Sequence, residues 1–479
     1  MLQTLKNAWN TKEIRGKILF TLFILLLYRI GTVIPVPFVE ANNFAGQFSG
    51  TILDQMNILS GGSLSTATLF ALGVSPYINA SIIIQLLAVV FPRLGELAKN
   101  DKEKMNFITR IVTVILAIVT AVGYYFLLKN NGMLVNAADS AQNPGSAWFY
   151  GIVIIACYCA GASIIMWLGE RINEKGIGNG ISMILFANIV SSIPSFVYNL
   201  INLAIGTYSY DNRAWLFGII STVFAIVLLS IVVALFIFVI WVTGSERRIP
   251  ITYAKRVVGR KMYGGQNSNL PIKLNMTGVM PIIFASSIVS LVPTILALCG
   301  VNNETKGFWG GANRVLAADG VVYPVMLFIL IIAFAYFYTA ITFDPVEVSN
   351  NIKKQGGTIP GIRQGRPTSD YIKKILSKVT LVGAIFLGIV AVLPVVAGPH
   401  ILQHLIEWII GGAYENLDTY TVYGNQIVTV RAAVEAQAST LSSQFTFGGT
   451  SLLIIVGVVI ETFRGLESEL TMRNYKGFL

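Results

Sequence analysis

The stretch Ser60-Gly-Gly-Ser-Leu-Ser-Thr-Ala-Thr-Leu-Phe-Ala-Leu-Gly-Val-Ser-Pro-Tyr-Ile-Asn-Ala-Ser-Ile-Ile-Ile-Gln85 changes character partway along. As far as Gly73 it is small residues and hydroxyls with scattered Leu and Phe, and from Val74 it becomes an apolar run that lasts to Phe91. The first part is too short and too rich in small residues to cross a bilayer, yet too apolar for a free loop. Irregular backbone at membrane depth persists only where it is buried in protein or lines a cavity, so a re-entrant segment here implies a central cavity. Gly61, Gly62 and Gly73 would be its hinges. A surface helix packed on the outer face is the rival reading. Both require a membrane, and the composition supplies one: 54% of the 479 residues are hydrophobic, 12% are charged and mean hydropathy is +0.69, whereas about a quarter of an average soluble chain is charged.

Working outward, apolar runs bounded by charges, Pro or Gly predict ten spans, at 18–33, 74–91, 111–128, 148–168, 181–205, 215–243, 275–298, 321–343, 379–397 and 447–463. Runs of this length read as membrane helices and exclude an outer-membrane barrel, whose strands are short and alternating. An even number places both termini on one side. The segments on that side (1–17, 92–110, 169–180, 244–274, 344–378 and 464–479) hold 28 of the 34 Lys and Arg. The opposite segments hold five (Lys129, Arg213, Lys306, Arg314 and Arg431), and Arg29 lies within the first span. By the bias of basic residues toward cytoplasmic loops, both termini are cytoplasmic, and most of the +11 formal charge is orientation chemistry. A division into 1–205 and 206–479 gives two halves of five spans. Five is odd, so two related halves would be inverted across the membrane, as in many transport proteins. The expected fold is an all-α integral membrane protein with ten helices in two inverted halves around a central pore.

The spans carry almost no charge. Arg29 is near the outer end of the first and is expected to snorkel; Glu461 lies beside the cytoplasmic end of the tenth. What remains at depth is Asn79, Gln85, Thr113, Thr120, Asn188, Asn275 and Thr277, groups that ordinarily bond between helices. No proton relay can be assembled from them, and the cargo is one the wall need not recognise by charge. Three cysteines cannot build a disulfide framework, and Cys157 and Cys159, two apart in one span, receive no role.

Gly176, Gly178 and Gly180 follow no strand and lack the G-x-G-x-x-G spacing, so they are read as a tight turn rather than a nucleotide site. His400, His404 and Glu407 fall on one face of a short helix after Pro399, but no fourth ligand is apparent, and a short interfacial helix is the preferred reading over zinc. Two cytoplasmic loops exceed what orientation requires. In 244–274, Arg247, Arg248, Lys255, Arg256, Arg260 and Lys261 surround an alternation of Ile249, Ile251 and Tyr253 that predicts a projecting hairpin. In 344–378, Lys353 and Lys354 precede Gly356-Gly-Thr-Ile-Pro-Gly-Ile-Arg363, whose Gly and Pro fix turns that present Arg363. Together they predict a docking surface for an anionic partner.

The stretch 71–85, Trp167-Leu-Gly-Glu through Gly-Ile-Gly-Asn-Gly-Ile-Ser182, Asn275-Met with Gly278-Val-Met-Pro-Ile-Ile-Phe-Ala-Ser-Ser287, Pro360-Gly-Ile-Arg363, Phe447-Gly-Gly-Thr-Ser-Leu-Leu-Ile-Ile-Val456 and Met472-Arg-Asn-Tyr-Lys-Gly-Phe478 resemble, in order, segments of the bacterial SecY family of protein-translocation channels. The resemblance covers nearly the whole chain. It departs in two places: Gln364 stands where Pro is expected, and 398–446 is longer than expected between the last two spans.

The resemblance implies an hourglass pore with an apolar constriction of Val74, Ile78, Ile181, Leu185, Ile283 and Ile454. It implies a plug within 57–73, comprising Ser60, Gly61, Gly62, Ser63, Leu64, Ser65, Thr66, Ala67, Thr68, Leu69 and Phe70. Between the second and third and the seventh and eighth helices it implies a lateral gate whose polar cluster is Gln85, Thr120 and Asn275. The implied partners are SecE and SecG as small membrane subunits, the SecA ATPase as motor, the ribosome through the basic loops, signal peptides and nascent chains, and membrane lipids. The implied location is the cell inner membrane, and no cofactor is implied. With no nucleotide motif the chain is read as a non-enzyme whose driving energy comes from a motor, a ribosome or the membrane potential. The alternative is a secondary transporter for a small uncharged solute, which would show a polar midplane pocket in place of an apolar ring.

Overall fold

The computed structural model describes residues 2–40, 52–134, 144–206, 214–253, 256–258, 261–263, 267–298, 308–316, 320, 322–411, 420–423 and 426–476. Helices α1 (Leu2–Asn10), α2 (Lys12–Gly31) and α3 (Ile52–Leu59) lead to α4 (Ser75–Val90), α5 (Pro92–Asn100), α6 (Lys102–Asn130), α7 (Pro144–Lys175), α8 (Gly180–Gly206) and α9 (Ala214–Thr243). After four short strands come α10 (Met280–Leu298), α11 (Phe308–Leu316), α12 (Val322–Thr342), α13 (Pro345–Lys354), α14 (Arg366–Ala397), α15 (Gln403–Gly411) and α16 (Val430–Lys476).

Each of the ten expected spans has a helix, but among the described residues seven are long and apolar enough to cross a membrane by themselves, or eight if the bent pair α4 and α5 counts as one. The other two differ for separate reasons. Helix α2 carries Lys12, Glu13, Arg15, Lys17 and Arg29 within 20 residues, and α10 is a shorter apolar helix. The bend of 118° between α4 and α5 falls at Phe91, which the following Pro92 holds out of the helical region, at φ −103° and ψ 108°. Several helices outrun their apolar runs. Helix α14 begins 13 residues before position 379, and α16 is 47 residues long, because no breaker stops a helix where its residues turn polar. Two starts are fixed by caps: Asp101 accepts from the Lys104 N–H at 3.2 Å for α6, and Asp344 from the Val346 N–H at 2.8 Å for α13.

The main apolar cluster draws on α2, α4, α7, α8, α9, α10, α12, α14 and α16. Helix α9 lies at the other extreme: 17% of its most apolar window is buried, with Val223, Ile226, Ile237 and Trp241 exposed, as suits a helix whose surroundings are hydrocarbon. The turn between α7 and α8 is the tight one expected. Asn173 Oδ1 accepts the Gly180 N–H at 2.7 Å, Asn179 Oδ1 accepts that of Ile181 at 3.1 Å, and Gly178 sits at φ +77°. Within 398–446, a π-helical turn (Gly398–Leu402) leads into α15, β6 (Tyr420–Tyr423) and β7 (Gln426–Thr429) form a hairpin, and α16 begins at Val430. His400 and His404 are exposed there.

Candidate functional site

The six expected constriction residues come from four helices far apart in sequence. Val74 precedes α4 and Ile78 follows one turn later, Ile181 and Leu185 are one turn apart on α8, Ile283 is on α10 and Ile454 on α16. Five of them are core members of the main apolar cluster at 2–7% exposure, and Ile181 packs on its edge, with Cδ1 2.5 Å from where a Cβ on Gly169 would stand. Methyl-bearing side chains of this kind offer neither donor nor acceptor to water or to a peptide backbone.

Directly against this cluster lies the segment 60–74. It is neither a spanning nor a surface helix: α3 ends at Leu59, and 60–74 is a run of tight turns in which Ser60, Ser63, Leu64, Ser65, Ala67, Thr68 and Phe70 are buried. Helix α3 thus overlaps the span 57–73 expected for the plug only at 57–59, and the residues named for it, 60–70, form turns. Phe70 belongs to the apolar cluster, stacks on Tyr28 at 5.4 Å and fills the space over Gly31, where an added Cβ would meet it at 2.0 Å. The wall supplies donors to the turns. Tyr124 Oη donates to the Leu64 carbonyl at 2.5 Å, Tyr158 Oη to that of Ala67 at 3.3 Å and Asn188 Nδ2 to that of Leu59 at 2.7 Å. Irregular backbone inside an apolar wall needs such partners, and two tyrosines in apolar helices gave no sign of that role in the sequence.

Arg29 does not snorkel. Its guanidinium turns inward and donates to the Ala187 carbonyl on α8, half-buried beside Gly61. The expected gate residues are also differently joined. Helix α10 packs on both α4 and α6, but no hydrogen bond links Gln85, Thr120 and Asn275 among the described residues. Thr120 bonds back to Leu116 O at 2.8 Å in its own helix, and Asn275 Oδ1 is buried without a partner. Gln85 accepts instead from Tyr338 Oη of α12 while donating to Ser81 at 2.9 Å. Tyr338 in turn stacks edge-on against Phe284 of α10 at 5.1 Å. The polar tie across this seam therefore runs from α4 to α12.

The two basic loops form one unit. Strands β1 (Glu246–Tyr253) and β4 (Asn267–Lys273) pair antiparallel from Glu246↔Lys273 to Thr252↔Asn267, and β2 (Arg256–Val258) and β3 (Lys261–Tyr263) pair beyond them. Strand β5 (Gly357–Thr358), from the other loop, joins the free edge of β1 at Thr252↔Thr358. Beneath the sheet, Ile249, Ile251, Ile272, Ile352, Ile359, Ile372 and Leu376 make a small core. At its base, burial and then the neighbouring Arg464 push the Lys273 ammonium below its ordinary range, while Glu246 opposes them. Arg247, Lys353, Lys354 and Arg363 are exposed. Arg248 is exposed too but pairs with Glu246 at 2.8 Å. Lys255 and Arg260 lie outside the described residues, and Arg256 and Lys261 are placed on β2 and β3. Arg363 sits between Gly361 at φ +81° and Gly365 at φ +93°. Gln364 donates to the Gly357 carbonyl at 3.2 Å, closing the tip by a side-chain bond where a ring was expected. Arg366, Lys373, Lys374 and Lys378 on the extension of α14 are further exposed cations, which the sequence reading counted without naming.

Comparison with known proteins agrees with this architecture. The SecY family model matches residues 68–413. Proteins named protein translocase subunit SecY are 39% identical over 489 residues in Streptomyces galbus and 38% over 494 in Mycobacterium bovis, each covering the whole of both chains. Among solved structures, one of a SecY protein whose plug domain is described as stabilising the closed state and maintaining a membrane seal superposes with a TM-score of 0.57 at 18% identity, over 95% of this chain and 92% of that one. Sec61 in the canine ribosome–channel complex gives 0.52 at 18% identity with the same coverage.

Proposed function

Because this chain belongs to the SecY family, we propose that it is the central subunit of a protein-conducting channel that moves unfolded secretory polypeptides across the membrane and releases hydrophobic segments sideways into lipid. The observation that carries this reading is that Val74, Ile78, Leu185, Ile283 and Ile454 are buried in one apolar cluster, with Ile181 packed against it, beside the turns of 60–74. A transporter for a small solute would instead keep polar groups at that depth.

In this reading ten helices span the inner membrane in two inverted halves, 1–205 and 206–479, with both termini cytoplasmic. Each expected span has a helix, and α2 and α10, the two weakest by charge or length, both pack against other spans. The six apolar residues are the constriction. The segment from α3 to Phe70 is the plug. The lateral gate is the seam where α10 and α12 meet α4 and α6, with Gln85, Thr120 and Asn275 along it and Tyr338 holding Gln85. The sheet that joins the two basic loops is the docking platform: Arg247, Arg248, Lys255, Arg256, Arg260, Lys261, Lys353, Lys354 and Arg363 offer charge to the carboxylates of a SecA motor or the phosphates of ribosomal RNA. SecE and SecG are the expected membrane companions. The chain itself supplies a path, and the energy comes from the motor, the ribosome or the membrane potential.

The test is replacement. In a bacterium whose own channel subunit is depleted, expression of this chain should restore secretion of a signal-bearing reporter, and purification in mild detergent should recover two small membrane proteins with it. Normal membrane insertion of the chain with no rescue and no companions would overturn the reading.

A further inference from the structure

The turns from Leu59 to Gly73 are held to the wall in two ways. Downstream of Gly62 the backbone is fixed by its own polar groups. Tyr124 and Tyr158, at 2% and 0% exposure, donate to the Leu64 and Ala67 carbonyls, and the Leu69 N–H donates to Ile34 O at 2.9 Å. Gly161 of α7 admits the Leu69 carbonyl so closely that a Cβ there would lie 2.0 Å from it. Pulling this part away would strand two tyrosine hydroxyls and the plug carbonyls they serve inside an apolar wall, the costly outcome for polar groups.

Upstream the attachment is different. Helix α3 touches α8 and α10; among the described side chains, its polar ties to them are Asn188 Nδ2 on the Leu59 carbonyl and a 3.4 Å contact from Thr294 Oγ1 to the Met56 sulfur. Asn188 is fully buried; its amide also donates to Tyr28 Oη at 2.9 Å, so it keeps a partner if Leu59 leaves. Its Oδ1 has no partner and faces the empty Cβ position of Gly61 at 2.9 Å, with Arg29 Nη1 3.0 Å from the same point. Gly61 and Gly62 stand at φ +69° and +86°, and as glycines they can adopt other backbone conformations at little steric cost. Across the pivot, Asn57 Oδ1 accepts the Ser65 N–H and Ser60 Oγ accepts that of Leu64. Both bonds are given up if α3 leaves.

Resting on the channel reading above, we propose that the plug is in two parts: α3 is the part that moves, pivoting at Gly61 and Gly62, while 63–73 stays on the wall, and Asn188 is the latch whose amide sets how readily α3 leaves. Asn188 is thus a positioning residue for opening, and its strength fixes how hydrophobic a signal must be to open the channel.

The test uses full-length channel in membrane vesicles, with Cys157, Cys159 and Cys299 changed to alanine and a single new cysteine, Met56→Cys or Leu64→Cys. A membrane-impermeant maleimide is applied from the outer side, with and without a stalled secretory precursor. The stalled precursor should increase labelling of Met56→Cys and leave Leu64→Cys unchanged. Adding Asn188→Leu should raise labelling of Met56→Cys without precursor by up to about tenfold, the effect of losing one buried hydrogen bond. Tyr28→Phe, which leaves the Leu59 bond in place, should raise it less and serves if the Leu variant does not fold. Equal labelling of both positions would mean that the plug moves whole, and no change at either with the precursor stalled would remove the latch; each overturns the proposal while the channel reading stands. Failure of any precursor to enter the channel would bring down that reading and the latch with it.

Discussion

At the proposed constriction, five apolar side chains are buried in the main apolar cluster and Ile181 packs against it; on the proposed platform, exposed cations ride on a sheet assembled from two loops. The first, in the reading proposed, would work by offering nothing to bind, through shape and dewetting, and almost any methyl-bearing residue there would read as ordinary packing. The second would work by charge held at a fixed place, and it stands out as an excess of Lys and Arg beyond what orientation needs. Perturbing the platform should therefore abolish coupling with the path intact, whereas perturbing the cluster should loosen the path with coupling intact.

The largest effect is expected at Arg363. Arg363→Glu should cut motor-driven secretion at least tenfold, on the order of a lost charge-assisted contact between partners, while the other inside cations keep the topology. Arg363→Lys should fall between the two, since charge remains but the planar fork is lost. A secreted reporter, with channel abundance followed by blotting, checks both. Normal secretion by the Glu variant would break the comparison on its charged side.

Next are Ile78→Asn and Ile454→Asn. An amide in the cluster hydrates it, so ion conductance of the reconstituted channel should rise several-fold and weak signals should pass more easily. An unchanged leak in both variants would take these residues out of the constriction.

The charged side was legible and the seam was not. Arg29 was expected to reach for the interface, and the carbonyl of Ala187 gave it a partner within the protein. Tyr338 lies in a helix rich in aromatics, where a hydroxyl that finds Gln85 253 positions away leaves no local pattern. Strand β5 is two residues long, too short for any alternation to show. The long apolar runs could be read because hydrocarbon thickness imposes a length on them, whereas α2, with its charges, and α10, with its shorter length, are not long and apolar enough by themselves. Which residues line the cluster came only through resemblance, for periodicity cannot distinguish a pore-facing isoleucine from a packed one.

The seam yields the third prediction. Tyr338→Phe or Gln85→Leu removes the bond between α4 and α12; polar contacts of this kind contribute on the order of 0.6 to 2 kcal/mol, so the opening equilibrium should shift by about tenfold or less. The readout is the signal hydrophobicity needed for translocation, which should fall. The smallest effect is expected from Asn275→Leu: Asn275 Oδ1 is already without a partner, so losing the amide should move the threshold by a few-fold at most, and an effect exceeding that of Tyr338→Phe would return the gate to the cluster first expected.

The claim on which all of this depends is that a polypeptide passes through the apolar cluster. It is tested most directly by arresting a secretory precursor that carries one photo-crosslinking residue and mapping where it attaches. The account predicts adducts at Ile78, Leu185, Ile283 and Ile454 as successive positions of the precursor come level with the cluster, and none on the exposed face of α9 around Val223 and Ile226. Adducts confined to α9, or absent from the cluster at every probe position, would contradict it.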